Sequence, residues 1–211
     1  SWEEKQRKDR APPAPLPVQE RLLDDKPEHL IERSDAERMP ADNPWGFKLD
    51  VPEYKFNRGE LYNLSVSRGT LTDEERFKIN DHMVQTIVML DKLPYPKHLR
   101  DVPMIAGCHH ETMNGTGYPK RLTRDQMPLT ARMMAIADIF EALTAADRPY
   151  KKAKTLSEAV HILSFMKNDE HIDADLFALF LRSGTWLRYG RKFLQAEQID
   201  EVDLSKYLDQ P

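Results

Sequence analysis

Residues 128–146 read PLTARMMAIADIFEALTAA, and this stretch decides the fold class. It opens on a proline, which is typical of a first helical turn, and most of the following residues favour a helix. Its larger apolar side chains recur at spacings of three and four, which predicts one long helix with an inward-facing stripe. The stripe consists of Met133, Ile136, Phe140 and Leu143.

Helix signals continue on both sides of this stretch. Thr72-Asp73-Glu74-Glu75 and Thr155-Leu156-Ser157-Glu158 are capping boxes, whose side chains satisfy amides that a helix start leaves unpaired. A further helix is predicted from Leu99 to about His110, and Asp173 is predicted to cap a helix near the C-terminus. Strand patterns are almost absent, so the sequence predicts an all-α helical bundle.

The first 52 residues differ in composition from the rest of the chain. They hold eight of the 15 prolines, and each proline removes a backbone donor and fixes φ. We interpret residues 1–52 as a Pro-rich, largely irregular extension or linker and residues 53–211 as the folded domain. The chain starts at Ser1 without a methionine, as we expect of a segment from a longer protein.

The composition argues against several classes of function. A net charge of −4 disfavours a general nucleic-acid binder, which must neutralise many phosphates. We find no apolar run that approaches the roughly 18 residues of a membrane span. The single cysteine, Cys108, excludes an internal disulfide and suits a reducing, cytoplasmic compartment.

A candidate metal site centres on His109 and His110, where the predicted helix meets a glycine-rich loop. Two adjacent imidazoles can serve one site only if the helix ends there, and neutral imidazoles suit divalent transition metals. Asp138 would add an oxygen ligand, because we expect its helix face to be buried and a buried carboxylate needs a partner. The alternatives are an exposed histidine pair and, for Asp138, an arginine partner or a register that turns it outward.

Nearby residues carry weaker signals. His82 lies beside an apolar helix stripe, either as a ligand or as a residue at the edge of the core. Gly115-Thr116-Gly117 either lets backbone amides approach an anion or forms a simple turn. Two basic clusters flank the candidate site and favour a phosphorylated ligand. They are Lys120, Arg121 and Arg124, and Arg148, Lys151, Lys152 and Lys154.

Taken in order, four motifs resemble the HD-GYP domain, and the resemblance covers roughly residues 69–181. The motifs are His109-His110-Glu111, Gly115-x-Gly117-Tyr118-Pro119, the run from Ala135 to Thr144, and Asp147-Arg148-Pro149-Tyr150-Lys151. HD-GYP domains are all-α, metal-dependent phosphodiesterases that hydrolyse cyclic di-GMP in bacteria. Their GYP loop is implicated in contacts with diguanylate cyclase (GGDEF) domains.

The resemblance implies an HD-domain-like helical bundle and assigns roles to residues by position. It places the metal ligands at His82, His109, His110 and Asp138. It places the signature loop at Gly115, Gly117, Tyr118 and Pro119, and the phosphate contacts at Arg148 and Lys151.

The chain departs from this family at the His-Asp dyad, which is expected upstream of residues 68–72. No His-Asp pair occurs in the sequence, and Tyr62-Asn63 stands near the expected position, as in degenerate YN-GYP variants. In the family the dyad aspartate bridges two metals, and neither a neutral Asn nor a protonated Tyr replaces it well. We therefore expect a reduced, mononuclear Fe or Mn site or none, and we assign no catalytic residue.

Three functions are compatible with this pattern. The first is a catalytically impaired or inactive signalling module that acts through a GGDEF-type or other protein partner, or by binding cyclic di-GMP. The second is an active metal-dependent phosphodiesterase with substitute ligands, for which Glu53, Glu60 and His29 are the candidates. The third is a structural remnant that serves to form a homodimer.

Overall fold

The computed structural model describes residues 21, 23–40, 42–67, 69–146 and 153–208. Backbone contacts divide the chain into two compact units, Ser1–His82 and Met83–Pro211. Helices dominate the described residues, and the sheet found among them has two strands. The prediction of an all-α fold is therefore confirmed, whereas residues 1–20 of the predicted irregular extension lie outside the described residues. Within these same ranges, no helix has both the length and the apolar character needed to cross a membrane.

The sheet of the first unit joins the Pro-rich segment to the residues that follow it. β1 (Leu30–Glu32) pairs antiparallel with β2 (Tyr54–Asn57). Arg33, directly after β1, donates to the carbonyl oxygens of Pro52 (3.0 Å), just before β2, and Tyr54 (3.2 Å), its first residue. The sequence did not predict these strands because each is very short and its partner is distant along the chain. The domain boundary at residue 52, which falls between the two strands, stays a prediction.

Two helices begin in the first unit. α1 (Glu60–Leu64) is short, and α2 (Asp73–Asp91) begins at the first predicted capping box. The Thr72 amide donates to Glu75 Oε2 at 3.0 Å, and the Glu75 amide donates to Thr72 Oγ1 at 3.3 Å. Local sequence therefore predicted the start of α2 correctly, since both partners of a capping box lie within one turn.

The helices that follow α2 pack around an apolar core in the second unit. They are α3 (Val102–Gly107), α4 (Leu129–Thr144), α5 (Leu156–Asn168), α6 (Ala174–Arg182) and α7 (Thr185–Phe193). The helix expected from Leu99 to His110 is thus reduced to α3. The core is built largely by α4 to α7, and its largest buried side chains include Phe140, Leu156, Leu163, Ile172, Phe177, Leu181 and Trp186.

The buried face of α4 agrees with the predicted stripe only in part. Ile136 and Phe140 are buried as predicted. Met133 is 42% exposed, so its prediction as an inward residue is wrong. Two small residues, Ala131 and Ala135, complete the buried face instead, because a methyl side chain lets neighbouring elements approach closely. Residue size alone did not reveal which apolar positions face a neighbour.

A buried carboxylate fixes the start of α6. Asp173 caps this helix as predicted, because its Oδ1 accepts the amides of Asp175 (3.0 Å) and Leu176 (3.1 Å). Its Oδ2 accepts Arg124 Nε at 2.8 Å and also Arg132 Nη1. Burial acts to raise the pKa of Asp173, but the hydrogen bonds from Arg124, the Leu176 amide and Arg132 outweigh it and hold the pKa below its ordinary value.

Replacing Asp173 with alanine should lower the free energy of unfolding by about 3 kcal/mol, because α6 loses its cap and Arg132 loses its buried carboxylate. Urea denaturation at neutral pH measures this loss. Asp175→Asn is the matched control, because Asp175 also pairs with Arg124 but is exposed, and such pairs contribute at most about 1 kcal/mol. Equal losses in the two variants would contradict the role of the buried carboxylate.

Candidate metal centre

The histidine pair lies in the turn directly after α3. His109 Nδ1 is 2.7 Å from the carbonyl oxygen of Ala106. Because a carbonyl oxygen can only accept, Nδ1 carries the ring proton and the lone pair is on Nε2. The end of α3 therefore holds His109 in the tautomer that presents Nε2 as a ligand atom.

His82 on α2 repeats this arrangement. Its Nδ1 is 2.5 Å from the carbonyl oxygen of Ile79, three residues earlier, so its lone pair is also on Nε2. Histidines that bind metals commonly donate their second N–H to a backbone carbonyl, which fixes both the tautomer and the ring orientation. His82 is exposed, whereas His109 and His110 are half-buried.

The three histidines come together. One ligand atom from each of His82, His109 and His110 lies within 4.8 Å of the other two. Three imidazoles at this spacing suit one divalent transition-metal ion with a further coordination position open, and imidazole suits Fe better than it suits Mn. The cluster could therefore bind a metal, and the assignment of these residues as its ligands stays a prediction.

Asp138 does not lie with the three imidazoles at that spacing. Its side chain is exposed on α4, together with those of Met134 and Glu141, so the expectation that its helix face is buried is wrong. The helix register explains this, because the buried face runs through Ala135, Ile136 and Phe140. The pKa of the Tyr118 phenol is raised mainly by burial and also by the negative charge of Asp138.

Glu111, next to the histidine pair, holds the signature loop from inside. Its side chain is 1% exposed. Its Oε1 accepts the Lys120 amide at 2.7 Å, and its Oε2 accepts the Leu122 amide at 2.9 Å. Burial raises the pKa of Glu111, and these amide hydrogen bonds oppose that rise. Sequence reasoning noted Glu111 in a motif but gave it no role; an acidic residue just before a glycine-rich loop was the available signal.

The glycines of the loop allow it to pack closely. Gly115 has a φ of +78°, and a Cβ at Gly117 would lie 2.5 Å from both the Cα of Glu111 and the amide nitrogen of Thr112. No side chain fits at Gly117 without moving the backbone. The loop then turns through a cis peptide bond between Tyr118 and Pro119.

Tyr118 joins the loop to the histidine pair. Its ring stacks on the His110 ring with a centroid separation of 4.9 Å and an interplanar angle of 16°. Its amide donates to the His110 carbonyl at 3.1 Å. The anchored loop thus helps to orient the ring of His110, one of the candidate ligands.

Two of the three amides of the glycine turn are engaged within the loop. The Gly115 amide donates to the Thr112 carbonyl at 3.1 Å, and the Thr116 amide donates to Thr112 Oγ1 at 3.0 Å. These contacts favour the simple turn over the alternative in which the amides receive an anion.

The residues at the expected dyad position make local hydrogen bonds within the first unit. Tyr62 Oη donates to Glu74 Oε2 at 3.0 Å, and burial followed by this bond raises the pKa of Tyr62, so the phenol stays protonated at neutral pH. Asn63 Nδ2 donates to the carbonyl oxygens of Asn57 (3.1 Å) and Gly59 (2.7 Å). Both side chains therefore serve the local structure around α1.

The proposed substitute ligands are also not part of the cluster. Glu60 Oε2 accepts the Asp24 amide at 2.7 Å, and His29 Nδ1 accepts the Lys26 amide at 3.3 Å. Glu53 is exposed. Among the described residues, these three side chains do not join the histidine cluster at ligand spacing.

The predicted phosphate contacts at Arg148 and Lys151 lie outside the described residues. Both ends of the connection that contains them are described. Gln198 is 6% exposed, and its Nε2 donates to the carbonyl oxygens of Thr144 (2.8 Å) and Lys154 (3.0 Å). One buried amide thus links the end of α4 to the residues that precede α5.

Glu111→Gln should loosen the signature loop. The introduced NH₂ group must face at least one of the two amide donors, and leaving a buried donor unpaired costs about 2 kcal/mol. Hydrogen exchange at the Lys120 and Leu122 amides should accelerate. Glu141→Gln on the exposed face of α4 is the control and should leave that exchange unchanged. Unaltered exchange in Glu111→Gln would show that the buried carboxylate does not anchor the loop.

Comparison with known proteins identifies the family. Residues 17–176 match the HD domain. The chain is 36% identical over 112 residues to 3'3'-cGAMP-specific phosphodiesterase 3 of Vibrio cholerae, covering 52% of this chain and 23% of that protein. It is 40% identical over 75 residues to a cyclic di-GMP phosphodiesterase of Pseudomonas aeruginosa, covering 36% of this chain and 17% of that protein. It is 48% identical over 60 residues to the cyclic di-GMP phosphodiesterase response regulator RpfG of Xanthomonas campestris, covering 28% of this chain and 16% of that protein.

The aligned part of the chain spans less than a quarter of the length of these relatives. The HD domain match covers well over half of this chain. The described part of that match is helical and contains the histidine cluster, as expected of a metal-dependent domain. The chain therefore belongs to the HD domain family.

Proposed function

We propose that this chain is a bacterial, cytoplasmic signalling module of the HD-GYP type whose phosphodiesterase activity toward cyclic di-GMP is weak or lost. The observation that carries the proposal is the set of side chains that could donate electron pairs to a metal ion, which we call the donor set. Three imidazoles come together, and in the described residues no carboxylate accompanies them at ligand spacing. The relatives support the choice of ligand, because they are named phosphodiesterases of cyclic di-GMP or 3'3'-cGAMP.

The donor set limits the chemistry. A two-metal phosphodiesterase site holds both the attacking and the leaving oxygen, which requires groups that keep two cations a few ångströms apart. A single ion bound by the three imidazoles would supply a Lewis acid and a bound water of lowered pKa. Tyr62 and Asn63 offer no bridging carboxylate, and each tenfold loss of rate corresponds to about 1.4 kcal/mol of barrier.

The phosphate contacts and the partner contacts complete the proposal. Arg148 and Lys151 would meet the two phosphodiester anions of the cyclic dinucleotide. The signature loop would meet a GGDEF-type partner or a second copy of the chain. Glu111 and Thr112 already hold this loop from within, so a partner would find it ordered and would lose little affinity to loop ordering.

An active phosphodiesterase is the second candidate, and the position of Asp138 favours it. Asp138 is close enough to Tyr118 to act on its pKa, and Tyr118 stacks on His110. A rearrangement of this carboxylate toward the imidazoles would restore an oxygen donor. The two candidates differ in turnover and in the number of metal ions bound.

The turnover test is incubation of the purified chain with cyclic di-GMP and either Fe²⁺ under reducing conditions or Mn²⁺. We expect linear dinucleotide and GMP to form far below the roughly 10 s⁻¹ of a typical enzyme, because one ion cannot clamp both oxygens. Equilibrium dialysis with the same nucleotide measures binding separately. Ordinary turnover that Asp138→Asn abolishes would contradict the proposal and establish the second candidate.

Metal analysis tests the donor set itself. Protein loaded with Fe²⁺ should retain about one ion per chain, because three imidazoles without a bridging carboxylate hold a single ion. His109→Ala should lose this ion, since two imidazoles remain. His98→Ala, an exposed histidine after α2, is the matched control and should keep it. Two tightly held ions per chain would overturn the mononuclear assignment.

A further inference from the structure

The outer face of α7 carries a concentrated positive charge. Arg188, Arg191 and Lys192 are all exposed and lie within an arc of roughly 100° on the helix, at 100° per residue. Arg182, at the end of α6, is exposed as well. Residues 176–196 contain these four cations and no Asp or Glu, although the whole chain has a net charge of −4.

These cations are not neutralised by neighbouring carboxylates. Within the described residues, none of the four forms an ion pair. Arg188 Nη2 donates to Thr185 Oγ1 at 3.0 Å, and Lys192 Nζ lies 5.0 Å from the centroid of the Phe193 ring. The pKa of Tyr189 on α7 is raised mainly by burial and also by the negative charge of Glu141 on α4.

The opposite face of α7 fixes its orientation. Trp186 and Gly190 are buried, and Trp186 Nε1 donates to the Leu181 carbonyl at 3.2 Å. A Cβ at Gly190 would lie 3.1 Å from the Leu156 side chain, so the helix is tightly packed there. The cationic face is therefore held outward by the core.

An exposed aromatic side chain borders the cationic face. Phe193, at the end of α7, is 59% exposed and lies beside Lys192. Cations beside exposed aromatic or leucine side chains are the combination that binds the interface of an anionic bilayer, where the charges meet the headgroups and the apolar groups enter below them.

We propose that the outer face of α7 docks on an anionic phospholipid bilayer. The face is the convex side of one helix, which a planar surface of many negative charges can meet at all three cations together. An acidic peptide would instead gain from a groove that surrounds it, and a duplex nucleic acid, with its surface of phosphate and sugar, offers no apolar layer for the exposed Phe193 ring to enter. This surface is independent of the histidine cluster and of the proposed function.

Vesicle flotation of the full chain at low ionic strength tests the proposal. Phosphatidylcholine vesicles that contain phosphatidylglycerol should carry the chain, and pure phosphatidylcholine vesicles should not. Replacing Arg188, Arg191 and Lys192 together with Gln should lower the partition coefficient by about 100-fold, since each cation near the surface contributes about fivefold. Phe193→Ser should lower it further, and added salt should weaken the binding.

A matched variant controls for net charge. Lys92, Lys97 and Arg100 are three exposed cations in the segment between α2 and α3, and their joint replacement with Gln removes the same charge. This control variant should retain most of the binding to anionic vesicles. Equal losses in the two triple variants, or no binding to the anionic vesicles, would overturn the proposal. Binding to an acidic polypeptide or to DNA without binding to vesicles would overturn it as well.

Discussion

The buried carboxylate of Glu111 is the interaction on which the candidate site depends. A carboxylate that is 1% exposed must be satisfied from within, and the loop supplies the amides of Lys120 and Leu122. This pairing draws the loop against the turn that carries the histidines, so closely that Gly117 has no space for a side chain. The same packing brings the Tyr118 ring onto His110. One acidic residue thereby couples the loop to the histidine cluster.

The chemistry of the site follows from which groups are near the imidazoles and which are not. Two of the three rings have their tautomers set by a carbonyl three residues earlier, so the protein prepares nitrogen donors before any ion binds. Among the described residues, three nearby carboxylates are not grouped with the imidazoles: Glu111 binds the loop, Glu74 accepts the Tyr62 hydroxyl, and Asp138 is exposed. This donor set is the reason for our proposal of a signalling module with weak or lost phosphodiesterase activity, since it offers no group that would bridge two ions.

Sequence patterns predicted those features that depend on neighbours within one helical turn. The capping boxes at Thr72 and Thr155 and the cap at Asp173 are confirmed, because each joins residues at most three positions apart. Features that depend on distant packing were not predictable. The β1–β2 pairing, the exposure of Met133 and Asp138 and the loop contacts of Glu111 are decided by which surfaces meet. The proximity of His82 to His109 and His110 is such a distant contact, and the family resemblance pointed to it where periodicity left alternatives open.

X-ray absorption at the iron edge of the Fe²⁺-loaded protein distinguishes one bound ion from two, because it reports both the atoms bound to the metal and any second metal nearby. We expect the atoms bound to the iron to be mostly imidazole nitrogens, with no scattering from a neighbouring iron. An iron–iron vector at about 3.5 Å, the separation found in two-metal sites, would contradict it and would require a bridging carboxylate that the imidazole cluster does not contain.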